Sequence, residues 1–210
     1  MEPARILRKG KLTTIEPLTE PEQFQMPGFP PLVAFHTSGG TSTLPESFEG
    51  CVGECFEKTL RYPGHYDLLC ELKDLGLFSG EKIKFGKTEI APRALMSKIF
   101  EGKFASRGPD ACIMRLEAHE SVRSAGVRGL LGGRLKGRIA TFTLVDHYDP
   151  KTDMSAMMRT TAFPASIVVQ MLASGAISKR GGVLQERDVP ADRFLDEMEK
   201  RGIQIQYAVE

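Results

Sequence analysis

A guanidinium, a phenol and an imidazole stand around a Pro-Gly break in Lys58-Thr59-Leu60-Arg61-Tyr62-Pro63-Gly64-His65. Arg61 offers fixed positive charge on a planar fork that matches a carboxylate, and His65 can exchange a proton near neutral pH. Together they suit an anionic ligand; the same residues also fit a surface turn with a solvated arginine and a histidine at a helix start. Arg159 is a second candidate. It follows Asp153-Met154-Ser155 in the first turns of an expected helix, where side chains and free backbone amides converge. Arg61 and Arg159, drawn from distant parts of the chain, would suit a ligand with more than one carboxylate, the alternative being two unrelated surface arginines. A third feature is the small-residue loop from His36 to Pro45. Its Ser38, Gly39, Gly40 and Thr41 let a backbone approach a ligand closely.

These residues need elements to hold them, and the hydrophobic pattern supplies candidates. Leu12 to Glu16 reads as a short strand, followed by a loop rich in proline and acidic residues from Pro17 to Pro31. Leu32 to Phe35 is an apolar strand running into the small-residue loop. Cys55 to Tyr62 resembles a strand, and Tyr66, Leu69, Leu72 and Leu75 recur with helical spacing until Gly76. Glu81 to Ile90 predicts a hairpin turned at Gly86-Lys87, and a helix follows from Ala91 or Pro92 to Phe100. Between Ala111 and His119 apolar residues alternate with Arg115, Glu117 and His119, a half-buried antiparallel strand. Arg138 to Asp146 can pair with it across a glycine-rich turn (Gly126 to Gly137). Asp153 or Ser155 can cap a helix ending near Ser174, kinked or restarted at Pro164. A helix from about Pro190 to Lys200 and a strand from Ile203 to Val209 finish the chain.

The sum is an α+β (mixed α/β) fold. It has a largely antiparallel sheet with helices on one face (1–150) and a helix-turn-helix-strand segment after it (151–210).

Composition bounds the function. The 210 residues are 41% hydrophobic, enough for a proper core. Lysine plus arginine at 28 against 27 acidic residues gives a net charge of +1, so no global field draws the chain to nucleic acid or an anionic membrane. No apolar run approaches the roughly 20 residues of a membrane span, and the N-terminus lacks a secretory signal, so a cytoplasmic location is expected. Cys51, Cys55, Cys70 and Cys112 are too few and too irregular for a disulfide framework. Cys51-x-x-x-Cys55 has no two further metal ligands close by. No two glycines lie two positions apart, which excludes the G-x-G-x-x-G dinucleotide fingerprint, and no phosphate-binding G-x-x-x-x-G-K-[ST] loop occurs. There is no G-x-S-x-G elbow to make Ser38, Ser42 or Ser47 a nucleophile.

Three blocks carry a family resemblance: Ala34 to Leu44; Lys58 to His65; and Met154-Ser155-Ala156-Met157 through Pro164 to Gly175-Ala176-Ile177 and Gly182-Val183-Leu184. They resemble the C-terminal catalytic domain of the saccharopine dehydrogenase family, in its reductase-like branch that includes lysine 6-dehydrogenase. The second block is the most specific. The resemblance implies hydride transfer between NAD or NADP and the C–N carbon of a lysine-derived amino acid. It also implies a preceding Rossmann domain that binds most of the nucleotide, and homodimers. It implies that Arg61 and His65 hold substrate carboxylate and assist proton movement. Tyr62, Ser38, Gly39, Gly40, Thr41, Ser155 and Arg159 would complete the substrate site. The chain would then begin where the nucleotide domain ends, Met1 need not be the natural start, and the isolated chain would be inactive. Two other readings remain: a ligand-binding or assembly module with the same fold and no catalysis, and a cysteine-based metal protein.

Overall fold

The computed structural model describes residues 2–104, 108–120 and 137–210. The chain divides into two compact units, Met1–Ser106 and Arg107–Glu210. The boundary falls ahead of the long strand pair, which shares its core with the C-terminal helices.

In the first unit, β1 (Ala4–Arg8) and β2 (Lys11–Ile15) form an antiparallel hairpin. Lys9 and Gly10 between them both take positive φ (51° and 77°), the mirror-image turn whose twist matches paired strands. β1 was not foreseen from the sequence. It buries Ala4, Ile6 and Leu7 and ties to Cys55 through reciprocal Leu7 and Cys55 backbone bonds of 2.8 and 3.2 Å.

A three-stranded antiparallel sheet carries the candidate site. β3 (Glu22–Phe24), inside the proline-rich loop, pairs with β4 (Leu32–Phe35). The small-residue loop then leads into the short α1 (Leu44–Phe48), and the chain returns as β5 (Thr59–Arg61) on the other side of β4. The strand expected over Cys55–Tyr62 contracts to these three residues, because Cys55 is spent on β1. α2 (His65–Asp74) follows, its Tyr66 ring 5.0 Å from that of Phe35 and its Tyr66 hydroxyl donating to the Leu18 carbonyl at 3.2 Å. Gly76, at φ 75°, ends it as expected. The hairpin of β6 (Ile83–Phe85) and β7 (Thr88–Ile90) turns at Gly86-Lys87, and α3 (Pro92–Phe104) starts on its proline.

In the second unit, β8 (Ala111–His119) and β9 (Ile139–His147) pair antiparallel over nine residues, Ala111 opposite His147 and His119 opposite Ile139. Most of the glycine-rich turn between them falls at 121–136, outside the described residues. α4 (Ala156–Ala173) runs through Pro164 without a break. The short α5 (Gln185–Asp188), α6 (Ala191–Lys200) and β10 (Ile205–Val209) complete the unit, with β10 added antiparallel to the other edge of β9.

Leu144 of the sheet, Ile167 and Met171 of α4, Ile177, Met198 of α6 and Ile203 form one buried cluster. Burial of each such side chain contributes about 1.5–3 kcal/mol. The apolar face of the sheet is covered at Leu144 and open beyond it, where Leu116 is 48% exposed. The fold is therefore α+β and antiparallel, as the sequence predicts, but among the described residues it is dispersed over four small sheets instead of one. Among the described residues no helix is long and apolar enough to cross a membrane.

Candidate functional site

The Arg61–His65 corner is built by one turn. Tyr62-Pro63-Gly64-His65 closes with the His65 amide donating to the Tyr62 carbonyl at 3.2 Å. Gly64 sits at φ 81°, ψ −18°, the third position of a type II turn, where the backbone demands glycine and the second position favours proline. The turn delivers Arg61 from the end of β5 and His65 from the start of α2, and leaves Arg61, Tyr62 and His65 exposed. The Arg61 guanidinium donates to its neighbour, the Leu60 carbonyl, at 2.9 Å. It meets no carboxylate among the described residues, so its charge is available. Partial desolvation of the His65 ring, and after it the Arg61 charge, push this imidazole below its ordinary pKa. It is then neutral near pH 7 and able to accept a proton.

The small-residue loop is anchored on both sides. His36 is buried; its Nδ1 lies 3.0 Å from the Glu57 carbonyl and its Nε2 3.3 Å from the Glu20 carboxylate. That commits His36 to structure and leaves it no serine partner. Thr41 is buried too, its hydroxyl donating to the Arg5 carbonyl at 2.7 Å. Ser38, Gly39 and Gly40 lie exposed between these anchors. One side of the loop, with Arg5, Ser38, Gly39, Thr41 and Ser42, lines a shallow cavity of about 340 Å³. On the other side the Glu57 side chain presses against Gly40, where a Cβ would stand 2.0 Å from Glu57 Oε2. The Glu57 Oε1 accepts from the Thr59 hydroxyl at 3.2 Å, and the Thr59 and Thr37 hydroxyls are 2.6 Å apart. Glu57 is a residue the sequence reading passed over. Its signal was there: Glu57, Thr59 and Arg61 alternate, which puts them on one face of an extended strand.

Ser155 and Arg159 belong to the second unit and are already occupied. Ser155 caps α4, its hydroxyl accepting the Met158 amide at 3.0 Å. Asp110 fills the rest of that helix start, its carboxylate accepting the Ala156 and Met157 amides at 2.6 and 3.0 Å. The Arg159 guanidinium grips Asp146 with two bonds, Nε to Oδ2 at 2.9 Å and Nη2 to Oδ1 at 3.3 Å, and reaches Asp149 at 3.5 Å. Both partners of the Arg159–Asp146 pair are nearly buried, with side chains 11% and 10% exposed. Among the described residues no group of histidine, cysteine and acidic side chains gathers as metal ligands, and the four cysteines are free thiols.

The described residues do not fit the nucleotide part of a dinucleotide cofactor. All their strand pairings are antiparallel. The capped start of α4, where a pyrophosphate would sit on free amides, holds the carboxylate of Asp110.

Comparison with known proteins gives the family and the fold. The model of the saccharopine dehydrogenase C-terminal domain matches residues 1–203. The structure of apo saccharopine dehydrogenase (L-Glu forming) from Saccharomyces cerevisiae superimposes with a TM-score of 0.67 at 16% identity, a likeness of fold. It is covered over 99% of this chain and 59% of its own, so the chain spans about three fifths of that protein.

Proposed function

This chain belongs to the saccharopine dehydrogenase C-terminal domain family, and on that footing we propose that it is the substrate-binding part of an NAD(P)-dependent oxidoreductase acting on the C–N bond of a lysine-derived amino acid. The observation that carries this reading is the contrast between two arginines. Arg61 is exposed, beside a proton acceptor and without a carboxylate partner among the described residues, whereas Arg159 is saturated. Arg61 binds the substrate carboxylate and His65 takes up or returns a proton. Tyr62 and the Ser38-Gly39-Gly40 edge of the anchored loop contact the rest of the substrate; Thr41 anchors that loop, and Ser155 and Arg159 hold the second unit together. NAD or NADP, which supplies the hydride chemistry, is bound mainly by a nucleotide-binding domain outside the residues of this chain, and the enzyme is cytoplasmic.

The second unit carries the assembly roles. α4 has one charged residue, Arg159, and that residue is engaged with Asp146 and Asp149, while Met157, Val169 and Leu172 are exposed. Such an apolar surface fits contact with the nucleotide-binding domain. Leu116, Tyr207 and Val209, exposed on the sheet, fit a homodimer seam.

The test is kinetic. In the enzyme joined to its nucleotide-binding domain, Arg61→Ala raises the substrate KM while the cofactor KM stays unchanged; an unchanged substrate KM refutes the carboxylate role. The 210-residue chain alone is inactive, and turnover of saccharopine or lysine with NAD(P) by it refutes the division of labour.

A further inference from the structure

The row of side chains that ends in Arg61 on β5 begins with a negative charge two residues ahead of the strand, at Glu57. Thr59 stands opposite Phe35 and Arg61 opposite Val33 on β4, and the bond from Thr59 to Glu57 keeps the Glu57 carboxylate on the same side. Glu57 Oε1 is taken by that hydroxyl, while Oε2 has no hydrogen-bond partner among the described residues and lies against Gly40, in the space that a side chain there would fill. The neighbouring cation, Lys58, is engaged elsewhere: its Nζ meets the Glu20 carbonyl at 2.9 Å and the Glu22 carboxylate at 3.2 Å. A carboxylate next to the glycine loop and a guanidinium at the end of β5 are thus four positions apart in the chain, a span of at most roughly 13 Å between Cα atoms at strand rise. Two threonine hydroxyls, from Thr37 and Thr59, lie at the carboxylate end of the row.

We propose that Glu57 binds the ammonium group of the ligand whose carboxylate Arg61 holds, so that the two residues together select a ligand carrying both charges. The proposal rests on the reading of Arg61 as the carboxylate site and adds the group that recognises the other end. It explains why residue 40 lacks a side chain: a Cβ there would displace the carboxylate. It also gives the Thr37–Thr59–Glu57 row a purpose, which is to fix the rotamer of an otherwise flexible acid.

The test uses the 210-residue chain and three probes: 6-aminohexanoate, hexanoate and hexylamine, each titrated by amide NMR. The expected result is that 6-aminohexanoate binds more tightly than either single-charge probe. Glu57→Gln weakens 6-aminohexanoate and hexylamine about tenfold, as loss of a charge-assisted bond does, and leaves hexanoate unchanged; Glu57→Asp restores part of the loss. Arg61→Ala does the reverse, weakening hexanoate and sparing hexylamine. Thr59→Val, which keeps the charge, costs less than Glu57→Gln. If Glu57→Gln misfolds, carboxyl-labelled glutamate in the wild-type chain gives the same answer, because hexylamine must shift the Glu57 carboxyl signal. The proposal is overturned if that signal stays still, if Glu57→Gln changes amine affinity less than twofold, or if none of the probes binds. Hexanoate binding that ignores Arg61→Ala refutes the Arg61 reading separately, whatever Glu57 does.

Discussion

Two arginines that look alike in the sequence have opposite situations in the fold. Arg159 is nearly buried, held by two bonds to Asp146, close to Asp149, and stacked 5.6 Å over the Phe163 ring. Arg61 is exposed at the end of a three-residue strand and, among the described residues, is bonded only to the carbonyl next to it. The first stabilises the second unit, and removing it strands a buried acid. The second is spare to the fold, and a charged residue the fold does not use is where function is to be sought. Asp110 teaches the same lesson for helix starts: the amides of α4 that would suit a ligand are taken by this chain's own carboxylate.

Substitutions should separate the two sites, the largest effect first. Arg159→Ala leaves Asp146 unpaired and destabilises the second unit by about 3 kcal/mol, read by denaturant unfolding; a loss below about 0.5 kcal/mol would put Arg159 back among the spare groups. Arg61→Ala raises the substrate KM by about tenfold or more and shifts unfolding by less than about 0.5 kcal/mol. Asp110→Ala leaves the Ser155 cap but strips the Ala156 and Met157 amides at the start of α4 of their acceptor and costs about 1 kcal/mol, with no change in ligand affinity. Gly40→Ala costs about 1 kcal/mol by pushing the Glu57 side chain aside. In a Glu57→Ala background that cost disappears, and a double-mutant cycle showing no coupling would contradict the contact.

The smallest effect is electrostatic. The imidazole of His65 titrates below the ordinary value of about 6.5, because it is desolvated and because Arg61 is near. The unfolded chain therefore takes the proton first, and as pH falls below about 6.5 this group subtracts from stability, while above that it contributes nothing. Arg61→Ala moves the NMR midpoint of His65 up only part of the way, since desolvation, the larger cause, remains.

The sequence revealed the elements whose signals are local. The spacing of Tyr66, Leu69 and Leu72, the proline at the start of α3, the alternation over β8 and the cap-to-glycine span of α4 all read directly. β1 escaped because Ala4–Arg8 carries two arginines in five residues and its turn, Lys9-Gly10, puts a lysine where asparagine or aspartate would have announced a hairpin. β3 escaped because three residues between prolines make no period. At the site, the Pro63-Gly64 turn and its flanking Arg61 and His65 were legible, since turn chemistry is local. The fate of Arg159 was not, because it depends on Asp146, 13 residues away on another element. Asp110 caps a helix 46 residues downstream. Glu57 was legible in principle from its alternation with Thr59 and Arg61, but its role emerges only when Gly40 is seen beneath it.

The most direct test of the central claim sets both arginines in one assay: substrate KM at saturating cofactor, measured on folded enzyme carrying Arg61→Ala or Arg159→Ala. The account predicts that Arg61→Ala alone raises KM, by about tenfold or more, with its unfolding midpoint unchanged, while folded Arg159→Ala keeps the wild-type KM. A wild-type KM for Arg61→Ala, or a raised KM for folded Arg159→Ala, would contradict it.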